Sequence, residues 1–226
     1  MSEIVRVFNS AALSYDEWYA QPMGRQVFKA ECRVMECIIP SEGIGLEVGA
    51  GTGIFAYKFT TSSRTVVCLD SSIGMLAEAA KRGLPSILGS ATKLPIRYAV
   101  LDFTYLITVV EFLDEPAQAF KEAKIVLKRN SPLAILFINK QSPWGSLYLE
   151  MAKRGDPIFR HAKIYEYHEL RDNLEKAGLK VVKIIGTLTN SPTDKEAGCE
   201  IVSLNRKPGV IAIKSLPSTG SDMLTR

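Results

Sequence analysis

The 226-residue sequence is poor in metal-binding and redox chemistry: it has two histidines, His161 and His168, and four cysteines. With no CxxC pair and no paired His/Cys ligand set, a zinc site and a disulfide framework are both disfavoured. Cys32 and Cys37 stand five apart on an expected helix, about 140° around its axis, so they point to different faces. Long apolar runs are also missing. The run at residues 103–110 falls far short of the ~18–20 residues of a membrane span, and the amino terminus lacks a basic region leading into an apolar signal core. A soluble, cytoplasmic protein is expected. Concentrated charge of one sign is absent as well: Lys and Arg number 28 against 24 Asp and Glu, a formal net charge of +4, yet basic residues never run beyond pairs such as Lys81-Arg82. A dedicated nucleic-acid binder would gather its cations into a patch, so that class is disfavoured.

What remains is the composition of a globular chain, 46% hydrophobic and 23% charged. From residue 44 onward, short β-branched runs alternate with amphipathic stretches, the pattern of βαβ units and a parallel sheet covered by helices. Strands are expected at 44–48, 65–69, 86–88, 101–109, 133–139, 181–188 and 210–214. Helices are expected at 53–60, 72–82, 116–128 and 166–177, with Ser72 as an N-cap and Gly83 as a stop. Residues 142–160 break the pattern and read as an inserted cap after the fifth strand. Two amphipathic stretches, 10–20 and 23–38, precede the first strand; about 35 residues cannot easily hold a core of their own, so they join the main domain as a helical flap. The expectation is one domain over 1–226: a flap at 1–40, one half at 41–140, a second half at 141–215 and a loose tail at 216–226.

The most informative segment is Leu46-Glu47-Val48-Gly49-Ala50-Gly51-Thr52-Gly53, a strand running into three alternating glycines and then a helix. Glycines there let a ligand approach the backbone without Cβ obstruction, and the helix start offers unpaired N–H groups. The spacing narrows the ligand. A dinucleotide fingerprint needs a third small residue where Ile54 stands, and a P-loop needs Gly-Lys-Ser/Thr, which is absent. Asp70 ends the second strand twenty-one residues after Gly49, where a carboxylate accepts hydrogen bonds from ribose hydroxyls; the competing role is N-cap of the next helix.

These motifs resemble the class I S-adenosylmethionine-dependent methyltransferases, specifically the small-molecule branch called type 11. Residues 47–53 are similar to that family's first motif, Leu69-Asp70 to its second-strand acid, and Ser90-Ala91-Thr92-Lys93-Leu94-Pro95-Ile96 to its adenine-side motif, with Ser90 in place of the usual Asp. The resemblance implies an α/β fold: a doubly wound, Rossmann-like, seven-stranded, mostly parallel sheet with an antiparallel last strand. It implies S-adenosyl-L-methionine as cofactor and S-adenosyl-L-homocysteine as product. By the same resemblance, Gly49, Ala50, Gly51 and Gly53 approach the methionine portion, Glu47 organises the loop, and Asp70 binds ribose. Ser71, Ser90, Ala91 and Thr92 surround the adenine, and Thr108 and Val109 face the methionine end. Tyr15-Asp16-Glu17-Trp18-Tyr19 resembles a segment that closes over the cofactor, so Tyr15 and Trp18 are expected in a lid; the competing role is an aromatic face packed on the core.

Methyl transfer is an in-line displacement at an electrophilic carbon, so the protein chiefly aligns the nucleophile and excludes water, needing neither metal nor triad. Glu111, where relatives often carry His, Asn or a neutral residue, is the candidate catalytic group. It would bind a cationic substrate or accept a proton from an amine; alternatively it is exposed, or paired with Lys or Arg. The insert and the flap favour a closed pocket and hence a small-molecule acceptor, an amine among them. The alternatives are a protein or RNA acceptor, or a noncatalytic cofactor-binding protein on the same fold.

Overall fold

The computed structural model describes residues 2–218. Seven strands form one sheet in the order β3-β2-β1-β4-β5-β7-β6: β1 (Gly43–Val48), β2 (Arg64–Asp70), β3 (Ser86–Leu88), β4 (Phe103–Ile107), β5 (Leu133–Ile138), β6 (Leu179–Thr187) and β7 (Val210–Pro217). The first five pair in parallel and β7 runs antiparallel to both β5 and β6. This is the doubly wound arrangement expected, and its strand order reverses between β1 and β4, where such sheets open a ligand crevice at their carboxyl ends.

Alternation along the strands divides the core. Phe103, Tyr105 and Ile107 of β4 join a cluster with Val27, Val34 and Met35 of α3 (Pro22–Glu36) and Phe55 and Phe59 of α4 (Ile54–Phe59). Leu106, with Leu133, Ile135 and Phe137 of β5, faces the other layer, formed by Phe120 of α6 (Pro116–Val126) and Leu170 and Leu174 of α8 (Tyr167–Lys176). Successive strand residues point to opposite faces, which is why a central strand reads as continuously apolar.

The amino-terminal segment differs from its expected form. The helix expected at 10–20 is instead α1 (Glu3–Ala11), a run of turns, and the short α2 (Glu17–Ala20). Pro22 begins α3, a position where its missing N–H costs nothing. α1 buries no residue, whereas α3 buries seven, including Val27, Ala30, Val34 and Met35; α3 is thus a core helix and only α1 and α2 lie over the sheet edge as a flap. Gly24 allows this junction, because a Cβ there would meet the Trp18 carbonyl oxygen at 1.9 Å. The insert after β5 contains α7 (Pro143–Lys153), capped by Ser142, whose hydroxyl accepts the Gly145 N–H. The tail begins later than expected, since β7 extends through Pro217; residues 219–226 lie outside the described residues. The remaining helix, α5 (Ile73–Lys81), is capped by Ser72, whose hydroxyl accepts the Met75 N–H at 3.2 Å, and it is followed by Gly83 at φ +76°. Among the described residues no helix is long and apolar enough to cross a membrane, and all four cysteines are free, with Cys32 buried and Cys37 exposed.

Candidate active site

β1 delivers the chain to the sheet's carboxyl edge, and the next residues turn sharply into α4. Gly49, Gly51 and Gly53 have φ of +75°, +56° and +76°, conformations that side chains other than glycine rarely adopt. At Gly49 a Cβ would sit 2.6 Å from both methyl groups of Val109, so a bare backbone is what lets the loop lie against the turn after β4. The Gly49 and Ala50 N–H groups donate to the Leu69 carbonyl at 2.7 and 2.9 Å, fixing the loop to β2. Beneath it, the buried Glu47 accepts a hydrogen bond from the Tyr105 hydroxyl at 3.1 Å, and burial pushes its carboxyl up to about 8.

Asp70 closes this side. Its Oδ2 accepts the Gly51 N–H and its Oδ1 the Ser72 N–H, both at 2.8 Å. The helix cap is Ser72, not Asp70. Burial raises the Asp70 carboxyl, and backbone N–H groups of Ser72, Gly51 and Ser71 oppose that rise. Each oxygen keeps a lone pair for a further donor.

Two polar side chains fasten the flap to this half of the molecule. Asn9 Oδ1 accepts from the Ser72 hydroxyl and the Gly74 N–H, both at 2.8 Å. Asp16 accepts from the Thr52 hydroxyl at 2.7 Å and pairs with the Arg82 guanidinium, which also donates to the Thr52 carbonyl at 2.8 Å. Asp16 therefore joins the aromatic segment to the glycine loop.

Two cavities open side by side above the sheet edge. The first, of about 150 Å³, is walled by the glycine loop, the end of β2, the segment after β3 and the turn after β4, with Ile4, Val5 and Phe8 of α1 above. The second, of about 460 Å³, lies among α1, α2, α3 and α7, and its walls are largely aromatic. Phe8, Tyr15, Thr108 and Phe112 line both and form the partition. Thr108 holds φ +48°, an uncommon conformation for a non-glycine residue, and its N–H donates to the Leu136 carbonyl at 2.8 Å. Phe8 meets Phe112 edge-on, with ring centroids 5.2 Å apart.

Of the residues singled out in the sequence, Tyr15, Gly49, Gly51, Asp70, Ser71, Ser90, Ala91, Thr108 and Val109 meet on the first cavity. Glu47, Ala50, Gly53 and Thr92 do not line it: the first three shape the loop from beneath or behind, and Thr92 bonds to Ser90, hydroxyl to hydroxyl at 2.9 Å. Trp18 lines the second cavity rather than the first. Glu111 is 1% exposed and forms no ion pair among the described residues, so the exposed and cation-paired alternatives do not hold. Its Oε1 accepts the Ile138 N–H at 2.7 Å, its Oε2 has no partner, and burial pushes its carboxyl up to about 7. It lines neither cavity.

Sequence reasoning missed Glu31. It lies on the second cavity in an apolar helical stripe with Met23 and Val27, and an acid in such a stripe is the signal that could have found it. The aromatic residues Tyr148 and Phe159 of the insert, whose rings are tilted by 33° with centroids 4.3 Å apart, carry no such signal in the sequence.

The family model described as a methyltransferase domain matches residues 46–135. An uncharacterized protein of Methanocaldococcus jannaschii is 31% identical over 211 residues, covering 93% of this chain and 98% of that protein. An uncharacterized Mycobacterium tuberculosis protein is 31% identical over 187 residues; these are 80% of this chain and 62% of the longer relative. Among solved structures, an S-adenosylmethionine-dependent methyltransferase of Thermotoga maritima, described as a possible histamine N-methyltransferase, is similar with a TM-score of 0.84 and 26% identity, covering 94% of this chain and 99% of that one. The chain belongs to the class I S-adenosylmethionine-dependent methyltransferases, in the type 11 branch, and is a methyl-transferring enzyme that uses S-adenosylmethionine.

Proposed function

We propose that the acceptor is a small molecule enclosed in the aromatic cavity, with the methyl group crossing the partition of Phe8, Tyr15, Thr108 and Phe112. The observation that carries this reading is that the two cavities share those four residues, so a donor in one and an acceptor in the other meet at a single boundary. When bound, S-adenosylmethionine supplies a methyl group on a sulfonium, an electrophile that needs no further activation.

The lining of the first cavity suits that cofactor, and at about 150 Å³ under Ile4, Val5 and Phe8 the space admits the whole molecule only when α1 shifts outward. The loop at Gly49 has no room for a Cβ, Asp70 faces the cavity with lone pairs free for ribose hydroxyls, and Ser71, Ser90 and Ala91 give the adenine a small-residue, polar border. Phe8 and Tyr15 screen the partition from water, which keeps the acceptor as the sole nucleophile present. Glu111 is assigned a positioning role in this reading: its Oε1 fixes the Ile138 N–H at the end of β5, and Ile138 lines the acceptor cavity.

A cavity walled by α1, α2, α3 and α7 favours a small molecule over a protein or RNA, which needs an extended groove. Incubation with methyl-labelled S-adenosylmethionine and separate pools of small-molecule extract, peptides and RNA tests this. Label is expected in the low-molecular-weight products; label confined to peptide or RNA would refute the reading.

A further inference from the structure

We propose that the aromatic cavity is a subsite for an organic ammonium group, with the Glu31 carboxylate as its counter-charge and the surrounding rings as its walls. This rests on the reading of that cavity as the acceptor site and names the acceptor's chemical class.

Glu31 sits on the inward face of α3, with Met23 and Val27 on the same stripe, all three on the cavity wall. It is 3% exposed, and its Oε2 has no hydrogen-bond partner. Among the described residues no Lys, Arg or His forms an ion pair with it. Removing a carboxylate from water without a partner is costly, and proteins ordinarily place such a group on the surface or pair it. Among the described residues the charged group that bears on it is another acid, Glu111; burial first and Glu111 second push the Glu31 carboxyl up to about 8. The site is thus short of a cation, and the cavity is where one would come from.

The walls suit the same ligand. Tyr15, Trp18, Tyr19 and Tyr148 line the cavity, and aromatic faces attract a desolvated cation while also burying an apolar body. The other acid on the wall, Asp156, is already engaged: its Oδ1 accepts the Ile158 and Phe159 N–H groups at 2.9 and 2.8 Å. At neutral pH Glu31 holds its proton while the cavity is empty, and an ammonium ligand favours its ionised form; a neutral alcohol offers no such gain, and a carboxylate ligand opposes ionisation.

Trp18 and Trp144 are the protein's two tryptophans, and both line this cavity, so intrinsic fluorescence reports its occupancy directly. The test is a fluorescence titration of the full chain, with S-adenosylhomocysteine present, using 2-phenylethylamine, 2-phenylethanol and 3-phenylpropionate as probes. The amine is expected to bind at least ~10-fold tighter than the alcohol, and the acid weakest, as charge-assisted pairing requires. Glu31→Gln should cut the amine preference to below ~3-fold while S-adenosylhomocysteine binding, measured by calorimetry, stays intact. Asp156→Asn should keep the preference. Equal binding of amine and alcohol to the wild type overturns the proposal, and that comparison needs no variant to fold. A preference that survives in Glu31→Gln, or vanishes in Asp156→Asn alone, also overturns it. Loss of S-adenosylhomocysteine binding in the wild type would instead strike the assignment of the first cavity, so the two failures are distinguishable.

Discussion

The two cavities share a partition but are encoded in opposite ways. Beneath the flap residues Ile4, Val5, Phe8 and Tyr15, the cavity proposed for the cofactor is built from short consecutive runs at the sheet edge: the glycine loop, Asp70-Ser71, Gly89-Ser90-Ala91 and Thr108-Val109. The cavity proposed for the acceptor takes scattered residues from α1, α2, α3, α7 and the chain after β6. A local motif can be read from its spacing, because the backbone geometry it requires is itself local. A wall assembled from single residues of several separate helices is set by packing, which leaves only weak traces in the order of residues. In the proposed reading the difference also separates function: the first region takes the cofactor that the family shares, and the second takes the acceptor particular to this enzyme.

The largest effect expected from breaking this comparison falls on the cofactor side. Gly49→Val places a branched side chain at φ +75°, against Val109. It should destabilise the protein by about 2–4 kcal/mol through left-handed strain and overpacking, measured by denaturant titration. A change below ~0.5 kcal/mol would show that the loop relaxes without cost.

Asp70→Ala should weaken S-adenosylhomocysteine binding by about 10- to 100-fold in calorimetry, because it removes a ribose acceptor together with the acceptor for Gly51 and Ser72 N–H groups. Unchanged affinity would return Asp70 to a purely structural role. Asp16→Ala sharpens the boundary between the regions. It releases the Thr52 hydroxyl and Arg82 from the flap, so cofactor affinity should fall by roughly 3- to 10-fold with little change in melting temperature, since α1 buries no residue. A large loss of stability would instead make the aromatic segment part of the core.

A pH-dependent effect is common to both regions. Glu47 and Glu31 are held at about 8 in the folded protein, above the ordinary value of 4.5. The native state therefore binds more protons than the unfolded chain between those values. The resulting stability is complete below about pH 4.5 and is lost as pH rises through about 8. Either Glu47→Gln or Glu31→Gln should flatten that decline between pH 6 and 9 by about 1–2 kcal/mol in thermal or denaturant unfolding. Only the Glu31 variant should also alter amine selectivity. A wild-type profile that rises over this range would contradict the burial of these acids.

The fold was legible where pattern and punctuation agree. Ser86–Leu88 has the boundaries expected, Ser72 caps α5, and Gly83 stops it. The flap was not legible to the same degree, because residues 10–20 carry an amphipathic pattern that the structure resolves into turns and a four-residue helix, while α3 is drawn into the core. Glu111 shows the limit from the other direction. Its charge within an apolar run marked it out, but the second carboxylate, Glu31, lies eighty residues earlier on another helix, and only folding brings the two into electrostatic contact. Asp16 was passed over beside Tyr15 and Trp18, since its partners Thr52 and Arg82 are distant in sequence.

In the proposed reading donor and acceptor meet at the partition of Tyr15 and Thr108, and a crystal structure with S-adenosylhomocysteine bound is the decisive measurement. The adenosine is expected against Asp70, Ser71, Ser90 and Ala91, and the sulfur at the partition facing the aromatic cavity. Adenosine in the aromatic cavity, or a sulfur turned away from Tyr15 and Thr108, would contradict it.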